Sequence, residues 1–340
     1  MKQKGFFDED DCLKKLSRLG DPLEKLNEFI DWEDFRGLLV KGIKKESQGP
    51  GGRPPFDYIM MFKILILQKL NNIADDKTEY LINDRLSFRR FLNLQLHDAV
   101  PDAKTIWHFR EELKTANIME KLFQLFTEKL EDEKVITYSG SIVDASFVEA
   151  PKQRNTRDEN KDIAEGKVPK KWQQKKNRNK IVQKDMDARW MTKNKERHYG
   201  YKDHVKVDKK SKIITKYSVT NASVHDSQEL KNLIDTKKDE VMYGDSAYTG
   251  KEVQKCIPKN IINRIHEKGY RNRPLTKTQI RNNTAKSKIR ARVEHVFAAM
   301  EQYGGKTIRT IGIVRAKLQI GLLNLAYNLK RYAYLMESYA

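Results

Sequence analysis

Three acidic residues stand in settings suited to metal-assisted chemistry on a phosphodiester. Asp144 lies inside the apolar run "SIVDASFV", Asp245 closes the run "EVMY" in "YGDSAYTG", and Glu294 falls in "KIRARVEHVFAAMEQ". An acid in the centre of an apolar strand is costly to bury unless it is paired or metal-bound. Alternation along a strand puts Ile142 and Asp144 on one face and Val143 on the other. Asp245 is flanked by Gly244, Ser246 and Ala247, small residues that leave room for something to approach its carboxylate. Taken alone, Asp245 reads as the N-cap of a following helix. Glu294 sits at the edge of a helical apolar stripe formed by Ile289, Val293, Val296, Phe297 and Met300, and Arg290 precedes it by one turn on the same face. If the three acids share one cleft, they suit hard divalent cations such as Mg²⁺. Two such ions about 3.5–4 Å apart activate a hydroxyl nucleophile and stabilise a leaving oxygen in phosphodiester chemistry. In that company Asp245 reads as a metal ligand before it reads as a cap.

The elements that must position these acids change character near residue 134. Residues 1–133 read as helical: Pro54 and Pro55 precede an apolar segment of helix length, and Asp102 stands as N-cap before Ile106, Phe109 and Leu113 at helical spacing. The stretch "SQGPGGRPP" (47–55) reads as a loop or linker. Beyond 134, "VITYSGSIVDASFVEA" is β-like, and 198–208 with 212–224 reads as a hairpin. A helix over 226–236, the strand before Asp245, a helix and the strand "NIINRIHE" follow, then helices near 287–303 and 311–336. The pattern predicts an α/β domain over 134–340, with a mixed sheet flanked by helices, behind an all-α domain over 1–133. A polar basic stretch within it, about 151–197, has few apolar anchors beyond Trp172 and Trp190 and is expected to be largely loop or disordered.

Charge supports a polyanionic partner. The chain of 340 residues carries a net charge of +20. Residues 1–133 hold 22 Lys and Arg against 25 Asp and Glu, so the positive charge belongs to the remainder. It is concentrated in two blocks, 151–200 with 16 basic and 7 acidic residues, and 264–292 with 10 basic and one acidic. Nucleic acid is the usual partner of such a field. Cys12 and Cys256 stand far apart in no metal-like spacing, which predicts a reducing cytosol and no disulfide framework. No apolar run reaches membrane-spanning length, since "IMMFKILILQKL" carries Lys63 and Lys69, and the N-terminus lacks the apolar stretch of a signal peptide.

Motifs along nearly the whole chain resemble one family. "GRPPFDYIMMFKILILQKL", "INDRLSFRRFLNL" and "PDAKTIWHFRE" resemble the N-terminal helical domain of bacterial insertion-sequence DDE transposases, of the group named for insertion sequence five. "IVDAS", "RHYGYKDH", "NASVHDS", "YGDSAY" and "RARVEHVF" resemble that group's successive catalytic signatures. The resemblance implies an RNase H-like catalytic domain with Asp144, Asp245 and Glu294 as catalytic metal ligands. It implies two Mg²⁺ ions, with Mn²⁺ able to substitute, and double-stranded DNA, both element ends and target, as substrate. It also implies a homodimer or higher assembly on the ends and a bacterial cytoplasmic, nucleoid-associated location. Arg271, Arg273, Lys288, Arg290 and Arg292 in the second basic block, and Lys202 in "GYKDH", are the expected DNA contacts. Two positions depart from the family pattern: Ser287 stands where a tyrosine is usual, and Glu301 where a lysine or arginine is usual. A carboxylate at Glu301 predicts weakened end binding unless a nearby cation such as Lys306 or Arg309 neutralises it.

Other residues read more plainly. Lys202 is either a phosphate contact or an exposed strand lysine, Asp226 reads as an N-cap, and Trp107 with Arg110 reads as core plus surface. The seven histidines show no zinc-like pairing. Two rival functions remain: an RNase H-like nuclease without strand transfer, and a non-catalytic DNA-binding relic.

Overall fold

A computed structural model describes residues 8–43, 54–193 and 195–339. The expected linker over 47–55 lies, up to residue 53, outside the described residues. The chain divides into two compact units, Met1–Leu125 with Leu325–Ala340, and Phe126–Asn324.

The first unit is helical. Its helices are α1 (Asp8–Arg18), α2 (Pro22–Phe29), α3 (Arg36–Ile43), α4 (Tyr58–Asn71), α5 (Asp75–Asp84), α6 (Leu86–Phe91) and α7 (Ala103–Ala116), and α8 (Met119–Asp132) begins there. Helix α4 is apolar on every side, as a central helix must be, and Ile59 through Gln68 are all buried. Asp57 caps it through the Met60 amide at 3.0 Å, and Asp102 caps α7 through Thr105 at 2.7 Å. Lys63 is buried within α4 and lies over the rings of Trp32 and Phe91, at 5.4 and 4.6 Å; burial pulls its pKa down to about 8. Among the described residues no helix is long and apolar enough to cross a membrane.

The second unit is a mixed sheet with helices on both faces. Its strands are β1 (Ser141–Glu149), β2 (Arg189–Lys193), β3 (Glu196–Asp208), β4 (Ile214–Asn221), β5 (Val241–Tyr243) and β6 (Ile262–Asn263). They run in the order β2-β3-β1-β5-β6, with β4 also pairing β3. β3 is antiparallel to β1, β2 and β4, whereas β5 is parallel to both β1 and β6. The expected hairpin is therefore present as β3 and β4. This is the mixed sheet that the pattern predicted, in the RNase H-like arrangement that the resemblance implied. Gly200, in β3, has φ 148°, and a Cβ there would lie 2.3 Å from the Val148 carbonyl oxygen, so the close approach to β1 requires glycine.

One face of the sheet packs Val143, Met242, Tyr248 and Ile265 against Leu230 and Leu233 of the short helix α12 (Leu230–Leu233). The other face carries Val148, Tyr201 and Val219 against Ala316 and Ile320, at the start of α15 (Ile313–Tyr339). After the short helix α13 (Lys251–Lys255), helix α14 (Lys277–Gln302) packs on β1 and β5. It begins ten residues earlier than the sequence pattern suggested, because Thr276 and Gln279 form a capping box.

The basic stretch after β1 is ordered, contrary to expectation. Helix α9 (Arg157–Ala164) starts at a Thr156–Glu159 capping box, and the short helices α10 (Lys170–Gln173) and α11 (Asn179–Gln183) follow it. Trp172 is fully buried, and its indole N–H donates to Glu159 at 2.6 Å. Asp185, also buried, accepts from the Ala188 amide, the Tyr201 hydroxyl and the Gly312 amide, tying the stretch to β3 and to the lead-in of α15. A few well-satisfied side chains thus anchor a segment whose composition is mostly polar.

Candidate active site

Strand register brings the two aspartates together. β1 and β5 pair Ile142 with Tyr243. Two residues past that pair stand Asp144, within β1, and Asp245, just beyond the end of β5, so that continuing the register sets them side by side on one face of the sheet. β5 and β6 pair Met242 with Asn263, and the ladder continues as the His266 amide donates to the Gly244 carbonyl at 3.1 Å. The same row therefore runs Asp144, Asp245, His266. It lies at the carboxyl ends of β5 and β6, where open α/β sheets present ligand crevices.

Helix α14 lies over this row with one face. Ser287, Arg290 and Glu294 are spaced i, i+3, i+7, so they share a side of the helix. The Arg290 guanidinium donates to Asp144 Oδ2 at 2.8 Å and to Glu294 Oε1 at 3.2 Å. Asp144 and Glu294 are thus joined through one arginine. The side chain of Asp144 is 16% exposed and that of Glu294 is 61% exposed, so the first is the deep end and the second the rim.

The electrostatics follow from that geometry. Burial pushes the Asp144 carboxyl up to about 6; the Ala145 amide, at 2.9 Å, and Arg290 oppose the rise, while the negative charge of Asp245 adds to it. Asp245 accepts from the Ala247 amide at 2.8 Å and caps the 3-10 turn Ser246–Tyr248, so the capping role expected of an isolated aspartate is present. Tyr248 of the same motif is buried beneath the row, its hydroxyl unpaired among the described residues, and its pKa is raised well above the usual value by burial and by Asp144, Asp226 and Asp245.

His266 is a residue that the search for paired histidines missed. Its ring Nε2 lies 3.3 Å from Ser287 Oγ, and Lys286 beside it donates to the Ile265 carbonyl at 2.9 Å. Burial, then Arg290 and Lys286, lower its pKa, and Asp245 opposes them. Its signal is its place on "NIINRIHE", but the register with Asp245 is a property of the folded sheet.

The remaining expected site residues are scattered. Lys202 is not at the acid row: it is buried on the opposite face, where its ammonium donates to the Val224 carbonyl and to Asp226, each at 2.7 Å. The alternation of β3 puts Asp203, not Lys202, on the face of Asp144. Asp226 is that lysine's partner, and the cap expected of it falls on His225. Arg292 is exposed and donates to the Lys209 carbonyl at 2.6 Å, and Lys288, Arg271 and Arg273 are exposed. Glu301 pairs with Lys306 at 2.5 Å, so the neutralising cation is present. A cavity of about 250 Å³ beside Glu294 is lined by Ser146, Asp203, Phe297, Glu301 and Lys306 among others.

As placed, no group of three His, Cys, Asp or Glu among the described residues is close enough to hold a metal ion. The donor chemistry nonetheless fits a hard cation: two carboxylates share one row, and a third is tied to the first through an arginine.

Comparison with known proteins agrees with the geometry. Residues 136–329 match the family model described as a Transposase DDE domain, and residues 11–112 match a second, a Transposase domain (DUF772). Neither match singles out the group named for insertion sequence five. Among solved structures, the chain is similar to a piggyBac transposase in a synaptic complex with hairpin DNA. That likeness has 13% identity and a TM-score of 0.46, covering 94% of this chain and 76% of the other, and it adds nothing to the assignment. The DDE model spans more than half of the chain, including the Asp144–Asp245 row and Glu294, and the chain belongs to the DDE transposase family of insertion sequences.

Proposed function

We propose that this DNA transposase cuts DNA at the terminal inverted repeats of its element and joins the freed 3′-OH to target DNA. The observation that carries this reading is the register of β1 with β5, which sets Asp144 beside Asp245 under a helix that supplies Glu294. Asp144, Asp245 and Glu294 would hold Mg²⁺, with Mn²⁺ as a substitute. When bound, the metal supplies an activated hydroxyl nucleophile and charge neutralisation at the leaving oxygen.

The chain's own groups do the rest. Asp245 is fixed by its bond to the Ala247 amide, so its carboxylate is pre-oriented. Asp144 is held from two sides, by the Ala145 amide and by Arg290. Arg290, fixed between two carboxylates, stands where a DNA phosphate would approach the row, and its fork suits a phosphate oxygen as well as a carboxylate. Exposed Arg271, Arg273, Lys288 and Arg292 would supply backbone contacts that position the duplex without reading its sequence. Lys202, already paired with Asp226 inside the protein, supports β3 and the loop after β4. The helical domain over 1–133 would bind ends or dimerise.

The test is metal-dependent joining of end oligonucleotides to a plasmid. A transposase cuts and joins, a nuclease cuts without joining, and a DNA-binding relic does neither.

A further inference from the structure

His266 occupies the third place in a row whose first two places are Asp144 and Asp245. The His266 amide bonds the Gly244 carbonyl at 3.1 Å, so His266 stands next to Asp245 on the side away from Asp144. Its backbone is fixed by the bond to Gly244, and its ring by Ser287 on the helix face that also carries Arg290 and Glu294. The groups around it are Asp245 on β5's end, Lys286 and Arg290 on α14, and Glu267 next in sequence, which pairs with Lys286 at 3.7 Å. The ring is half-buried and reaches solvent. With Nε2 directed at Ser287, Nδ1 is the ring nitrogen left for a ligand. A serine hydroxyl donating to Nε2 leaves the proton on Nδ1, because the bond made by one ring nitrogen sets the state of the other.

We propose that His266 is a substrate-contacting residue of this site, its Nδ1–H donating to a phosphate oxygen of the DNA strand laid over Asp144 and Asp245, with Ser287 fixing the ring. The inference rests on the transposase reading of the same row. It explains why a small Ser287 serves this chain: the position above the row is filled from the sheet by an imidazole, and a larger residue at 287 would displace it. No bond is made or broken by His266. It contributes a hydrogen bond to a charged oxygen.

Two substitutions separate this role from a packing role. His266→Asn keeps a donor near the position of Nδ1 and loses the bond to Ser287, whereas His266→Gln keeps a group near Nε2 and loses the Nδ1 donor. At end-DNA concentrations well below saturation, His266→Ala and His266→Gln are expected to slow single-turnover joining about 10–100-fold, the range of one hydrogen bond to a charged group. His266→Asn is expected to retain most of the rate. The reverse order, with Gln active and Asn impaired, or an unchanged rate in His266→Ala, overturns the proposal. A second measurement does not need joining. In the full-length protein with Ca²⁺ and end DNA, the His266 imidazole NMR signal should move on adding DNA, and an unmoved signal overturns the proposal. A wild-type protein that fails to join DNA would count against the transposase reading, while the NMR result would still decide His266.

Discussion

Replacing Asp203 by Asn should make the protein more stable at high pH, by an amount set by burial. Asp203 lies in β3 on the face of Asp144, is 1% exposed, and accepts a hydrogen bond from Asn324 at 3.2 Å; among the described residues its Oδ2 has no partner. Burial raises its carboxyl from 3.8 to about 7, and only the Asn324 bond opposes the rise. A group whose folded pKa is raised holds its proton in the folded state while the unfolded chain has lost it. Between those two values stability therefore falls as pH rises, at about 1.4 kcal/mol per pH unit for one group. From pH 5 to pH 8 that gives a loss of about 3 kcal/mol in the wild type, complete once pH passes 7. An asparagine is neutral throughout, keeps an acceptor for Asn324, and does not pay this penalty. Its amide hydrogens need partners and cost about 1–3 kcal/mol where they find none, but that cost is the same at both pH values. The assay is urea unfolding of wild type and Asp203→Asn at pH 5 and pH 8. The variant's stability relative to wild type should be more favourable at pH 8 than at pH 5 by about 3 kcal/mol. Equal differences at the two pH values would refute the assignment of Asp203 as a carboxyl held neutral by burial.

Three further outcomes are expected. End-DNA affinity should fall steeply with salt, with a log–log slope near −0.9 per phosphate contacted, because the 151–200 and 264–292 blocks carry the excess positive charge; a flat titration would remove the polyanion reading. Glu301→Lys should leave end affinity and joining nearly unchanged, because Lys306 already pairs with Glu301 and both are at least half exposed; a clear tightening would show that the pair does not neutralise the site. Gly200→Ala should destabilise the fold strongly, since its Cβ would meet the Val148 carbonyl and its φ is disfavoured for alanine, and a melting temperature equal to wild type would contradict that.

Much of this was legible in the sequence, and the remainder was not for identifiable reasons. The acids, the hairpin, the cap at Asp102 and the long C-terminal helices follow from period and residue type, which are local, whereas the cap at Asp57 emerged only in the structure. The Asp144–Asp245 pairing was expected from resemblance, but its physical cause is a parallel register that no short window contains. Lys202 was misplaced because a strand of thirteen residues buried on both faces does not announce which face meets the acids. His266 and Lys306 were overlooked or held as alternatives because each acts through a partner distant in sequence or across a turn, Ser287 and Glu301. The basic stretch after β1 looked disordered because its order depends on a few buried contacts, Trp172 with Glu159 and Asp185 with Tyr201, that composition averages away.

The central claim is that Asp144, Asp245 and Glu294 form one metal-dependent catalytic unit, and the joining assay with conservative variants tests it most directly. Asp144→Asn, Asp245→Asn and Glu294→Gln keep shape and remove the charge that holds a dication. Each is expected to abolish Mg²⁺-dependent cleavage and joining of end DNA while binding to that DNA stays close to wild type. Wild-type joining rates in any one of the three would contradict the claim for that residue, and wild-type rates in either aspartate variant would contradict the shared row itself.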